Sequence, residues 1–140
     1  MIIDKLLQVS TNQVVTATAP STDVIDFGQA NPDTGLDDRS MMVVTVGEAV
    51  AAAGAATVSF AIQDSADNST FVDVVVTANI GKAALGLGQQ VVIPMPTKLR
   101  RYCRVNYTVG TGPLTAGKFS AQIVTGIQQN THKPDSPRIA

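Results

Sequence analysis

LRRYCRVNYTVGTGPLTAGKFSAQIVT, Leu99 to Thr125, is the stretch whose reading decides the fold. Inside it, Gly112 to Lys118 (GPLTAGK) has the spacing of a phosphate-binding loop: glycine, four residues, glycine, lysine. In such a loop the next residue is Ser or Thr, whose hydroxyl binds magnesium, and a helix follows whose N-terminal amides cradle the phosphate. Here Phe119 stands in that place, and Phe119, Ser120, Ala121, Gln122 and Ile123 alternate apolar and polar, which is the period of a strand. On the other side, Cys103, Val105, Tyr107 and Val109 alternate with Arg104, Asn106 and Thr108. Gly110, Gly112, Pro113 and Gly117 supply turn geometry between the two runs. The stretch therefore predicts two strands joined as a β-hairpin, with no nucleotide site.

Working outward, further strand-like runs occur at residues 13–18, 23–27, 41–46, 57–63, 70–77 and 89–95, so that the chain holds eight with 99–109 and 118–125. Their separators, ANPDTGLDD (30–38), DSADNS (64–69) and 110–117, are rich in turn formers. Short strands at such spacing point to an all-β sandwich or barrel, and eight favour a jelly roll. Val58, Phe60 and Ile62 share one face of their run, with Thr57, Ser59 and Gln63 on the other. Only six aromatics occur, so a core of small branched side chains is expected. The run EAVAAA (48–53), stopped by Gly54, predicts a short helical turn in a connection. We expect one jelly-roll domain over residues 1–127, followed by an extended arm, QQNTHKPDSPRIA (128–140), with two prolines and no apolar periodicity.

Composition narrows the chemistry. A chain of 140 residues buries roughly two thirds of its unfolded surface without staples. The single cysteine, Cys103, excludes an internal disulfide, and one His with one Cys does not make the usual zinc site. MIIDKLLQVS resembles neither a secretion signal nor a membrane span. The net charge of −1 conceals a division. Up to Val75 there are ten acids against Lys5 and Arg39 (−8), and beyond it eight bases against Asp135 (+7). If the halves interleave in space, these charges pair; if they segregate, the molecule is a dipole suited to charged protein surfaces. The acidic balance disfavours nucleic acid.

No catalytic constellation is expected. His132 lies in the arm, without a fixed partner, and turn-forming Asp33, Asp37, Asp64, Asp67 and Asn68 are expected to hydrogen-bond their own backbone. Asp64, Asp67 and Asn68 lack the spacing and the terminal glutamate of an EF-hand calcium loop. No metal or cofactor is predicted, and the clustered histidines of a cupin-like hydrolase are absent. Arg100, Tyr102 and Arg104 fall on one side of a strand, a stripe that reads either as a solvated edge or as a protein contact.

Three segments carry a resemblance. They are DKLLQVS (4–10) with the following TATAPSTDVIDFG, VVTVGEAVAAAGAATVSFAIQDSADN (43–68) and RYCRVNYTVGTGPLTAGKFSAQIVT (101–125). In order and character the chain is similar to the jelly-roll capsid cement, or decoration, proteins of short-tailed double-stranded DNA phages. The resemblance implies a non-enzymatic structural virion protein made in the bacterial host cytoplasm. Such a protein sits on the outer capsid surface, self-associates as a dimer or trimer, and bridges neighbouring copies of the major capsid protein, without membrane or nucleic acid as partner. On exposure pattern, the expected contact residues are Ile2, Ile3, Leu6 and Leu7, the Arg100, Tyr102 and Arg104 stripe, and His132, Lys133 and Arg138 of the arm. The rival reading is a jelly-roll glycan-binding or adsorption module, although Trp is absent and Tyr102 alone makes a thin platform.

Overall fold

The computed structural model describes residues 3–32 and 40–126. The 128–140 arm, including His132, Lys133 and Arg138, lies outside the described residues, as do Ile2, Asp33, Asp37 and Asp38. Among the described residues ten strands follow in order: β1 (Gln8–Val14), β2 (Ala19–Pro20), β3 (Ile25–Asp26), β4 (Ser40–Ala51), β5 (Thr57–Ser65), β6 (Val72–Val76), β7 (Ile80–Gly81), β8 (Gln90–Pro94), β9 (Tyr102–Gly110) and β10 (Ala116–Thr125). One sheet has the order β1-β10-β4-β8, the other β2-β9-β5-β6, with β3 continuing the β2 edge beside β9 and β7 continuing the β6 edge beside β5. All described pairings are antiparallel. Each sheet sets strands from the start and end of the chain side by side, β1 on β10 and β2 on β9, which is the wrapping of a jelly roll. The fold class is thus the one the turn spacing predicted. Among the described residues no helix is long and apolar enough to cross a membrane.

Alternation builds the core. Val58, Phe60 and Ile62 of β5, Cys103, Val105 and Tyr107 of β9, Met42, Val44 and Val46 of β4, and Phe119, Ala121 and Ile123 of β10 meet in one buried cluster. Three of the chain's aromatics stand at its centre: Phe60 and Tyr107 from one sheet against Phe119 from the other, with ring centroids 5.4–5.9 Å apart. The Tyr107 hydroxyl shares a buried hydrogen bond with Ser10, so the only polar atom of this trio is satisfied by β1.

Three sequence expectations give way. The 99–125 stretch is not a hairpin: β9 pairs with β5 and β10 with β4, so the glycine-rich turn carries the chain from one sheet to the other. Both strands have one apolar face, and packing those faces against each other buries more than pairing their edges. EAVAAA is strand rather than helix through Ala51, because β10 pairs along β4 from Ser40 to Ala51, and that ladder outweighs the alanine preference. The first strand lies at Gln8–Val14 rather than 13–18; register shifts on either side of Ser10, with Asn12 at φ 46°, break the alternation that would have marked it.

The charge division resolves into pairing. Asp26 binds Arg101, Asp64 binds Arg100 and Glu48 binds Lys118, so each of these ion pairs joins the acidic half to the basic half. Interleaved strands bring the two halves together.

Candidate interaction site

Arg100 precedes β9 and is spent on Asp64. Its backbone N–H and its Nε each reach that carboxylate at 2.9 Å, and Nη2 donates to Oδ1 at 2.6 Å and to the Asp64 carbonyl at 2.8 Å. Asp64 faces inward one residue before the end of β5, 5% exposed, and its chief partner is Arg100 rather than the backbone of a turn. Burial raises its pKa, but the Arg100 hydrogen bonds outweigh that and leave the carboxyl below its ordinary value. Arg104 donates from Nε to Gln63 Oε1 at 2.8 Å and stacks on Phe71, 3.7 Å from its ring centroid. Tyr102 is half-buried, with the Arg101 guanidinium 5.1 Å from its ring centre. The stripe read from the sequence is therefore divided: Arg104 stays on the outward side beside Gln63, Arg100 is drawn to the inward-facing Asp64, and both guanidiniums are engaged within the chain.

Two further carboxylates do structural work. Arg101 grips Asp26 through both Nε and Nη2 at 2.8 Å, and with the Gly28 N–H these bonds hold the carboxyl at about 2. Asp67 accepts the Thr70 and Ser69 N–H groups and the Ser65 hydroxyl, which likewise holds it at about 2. This is the turn-forming role expected of it, with Asn68 beside it at φ 57°. Among the described residues, no three His, Cys, Asp or Glu side chains gather as a metal site.

The N-terminal segment divides. Asp4 caps a single 3-10 turn, Lys5–Leu7, by accepting the Leu6 N–H at 2.9 Å. Leu7 packs on the core, whereas Ile3 and Leu6 are exposed, Leu6 at 83%. Ile3 opens onto the outer face of the β1-β10-β4-β8 sheet, where a cleft of about 370 Å³ lies between the strands. Three carboxamides, Gln8, Gln90 and Gln122, and three hydroxyls, Thr11, Thr45 and Ser120, complete its lining. Registers Gln8↔Gln122, Ser120↔Thr45 and Thr45↔Gln90 set these side chains in rows on one face. Gln122 is 1% exposed although it points away from the core, and its Oε1, like Thr45 Oγ1, is buried without a hydrogen-bond partner. Sequence reasoning missed this cleft. A glutamine at the outward position of an alternating strand reads as solvated, and only the registers across β1, β10, β4 and β8 show how the polar side chains cluster. A second cleft of about 350 Å³, lined by Asn31, Pro32, Thr97, Lys98, Leu99 and Arg100, lies beside the Asp64–Arg100 pair.

A search of curated proteins finds no match to the chain. A family model, Bbp16, matches residues 9–123, from within β1 almost to the end of β10. Because the match takes in nearly every strand of the sandwich and most of the sequence, the chain belongs to the phage-associated Bbp16 family.

Proposed function

We propose that this protein is a structural component of a phage virion that binds the outer surface of the capsid as a homo-oligomer and cements adjacent major capsid protein subunits. The observation that carries this reading is the coincidence of the family match with the sandwich: the phage association belongs to the jelly-roll domain itself. Two features support it. The described ion pairs lock strands to one another, which suits a rigid clamp. Large apolar side chains, Leu6, Leu87 and Val14 among them, stand 60–83% exposed, as a contact surface would have them. A clamp that holds two shell subunits adds association free energy at the seam where separation begins, and many copies multiply a weak single contact. The test is shell stability. Capsids stripped of this protein should open at a lower temperature than native ones and recover when the purified protein is added back. Stripped shells that open at the native temperature, or that added protein leaves unchanged, would refute the cementing role.

A further inference from the structure

We propose that the outer face of the β1-β10-β4-β8 sheet is the docking surface for a polypeptide, and that the Gln122/Thr45 cleft receives an uncharged N–H group of that partner, a backbone amide or the carboxamide of Asn or Gln. The inference rests on the shell-binding reading and specifies which face does the binding. Burying an acceptor without a donor destabilises a fold, so native chains leave few such atoms. Among the described residues, both buried side-chain polar atoms without a partner, Gln122 Oε1 and Thr45 Oγ1, lie in this one cleft. Oε1 accepts only, so the group that completes it is a donor. The donor is uncharged, because among the described residues no acid or base lines the cleft; Lys5 already donates to Gln8 and Thr11 at 3.3 and 3.4 Å.

The surroundings favour a polypeptide over a sugar. No aromatic platform lines the cleft, while Ile3 lines it at 47% exposure. On the same face stand Val92 of β8, opposite Val43, and Val14 of β1, opposite Lys118. Apolar side chains around a few neutral hydrogen-bonding groups, with charge kept to the margin, is the composition of a protein interface centre. The opposite sheet differs. Its outward Arg104 and Asp73 are held by the same side chain, Gln63, and no partnerless buried polar atom lies there.

The test is co-sedimentation of the full-length protein with stripped capsid shells. The wild type is compared with Thr45→Val/Gln122→Leu, with Gln90→Arg at the half-buried edge strand, and with Arg104→Glu on the other sheet. The double variant removes two unsatisfied atoms at nearly constant volume, so its melting temperature should equal or exceed that of the wild type. Its shell affinity, and that of Gln90→Arg, should fall about tenfold or more, while Arg104→Glu stays within about twofold. A lowered melting temperature for the double variant would overturn the inference, since the two atoms would then be satisfied within the fold. Undiminished binding by the double variant and Gln90→Arg, or competition by a free neutral oligosaccharide, would also overturn it and leave shell binding intact. A wild type that does not sediment with shells would overturn the underlying reading and this inference with it.

Discussion

Asp64 shows how far one residue's role depends on its neighbours in space. Within DSADNS it reads as a turn former, and Asp67, three residues on, is one. Asp64 instead faces inward near the end of a strand and holds the chain at the entrance to β9 through Arg100, a pairing across 36 residues that no local pattern announces. Replacing it with alanine leaves the Arg100 Nε and backbone N–H without their acceptor and keeps only the Nη2 bond to the residue 64 carbonyl. Asp64→Ala should therefore cost about 2 kcal/mol in chemical denaturation, against less than about 0.5 kcal/mol for an exposed control such as Asp23→Ala. Titrating groups set the pH limits of the fold. Asp26 and Asp67 ionise at about 2 in the folded chain and near 3.8 when unfolded, so below pH 3.8 the unfolded state takes up protons first and stability falls progressively towards pH 2. At the other end, burial pushes the Cys103 thiol and the Tyr107 phenol up to about 12, from 9.0 and 10.0. The unfolded chain releases these protons first, so stability falls as pH rises from 9 towards 12. Melting temperature against pH should show a plateau between these limits, and Cys103 should resist thiol reagents at pH 8 until the protein unfolds.

Elements were legible in the sequence where alternation was unbroken. β5, β9 and β10 were recognised nearly to their ends because Val58, Phe60 and Ile62, Cys103, Val105 and Tyr107, and Phe119, Ala121 and Ile123 keep a strict period of two. β1 was displaced because its register shifts interrupt that period, and β4 was cut short because alanines favour helix until a partner strand claims them. Partnership itself was not legible: 99–125 announced two strands and a turn, but not that each joins a different sheet. The candidate contact surface fared similarly. Ile3 and Leu6 stand out in an amphipathic segment and are exposed in the structure, whereas Gln122 and Thr45 carry no local signal of burial on an outward face. The turn between β9 and β10, with the register shift at the start of β10, explains the glycines that imitate a phosphate loop. Gly112 has φ 97° and Gly117 φ 154°, and a Cβ on Gly117 would lie 3.3 Å from Val50. Gly117→Ala should therefore destabilise by about 1–3 kcal/mol, read from the denaturation midpoint, while calorimetry with Mg-ATP gives no binding heat for either protein. A nucleotide that binds the wild type and not the variant would contradict the structural account of GPLTAGK.

At the scale of the molecule, interleaving is the governing feature. Strands from the two halves of the chain lie side by side in both sheets, so the described ion pairs each join the acidic half to the basic half, and Phe60, Tyr107 and Phe119 tie the sheets at the centre. On the proposed docking face the side chains around the cleft are uncharged and the Lys118–Glu48 charges are paired, so binding there should depend more on burial and hydrogen bonding than on long-range charge. Co-sedimentation of the purified protein with stripped shells of its phage, at increasing protein concentration and across a salt series, tests the central claim most directly. Saturable binding is expected, approaching a fixed stoichiometry with the major capsid protein and persisting from low to physiological salt. Protein that stays in the supernatant at every concentration, or that binds without saturation, would contradict it.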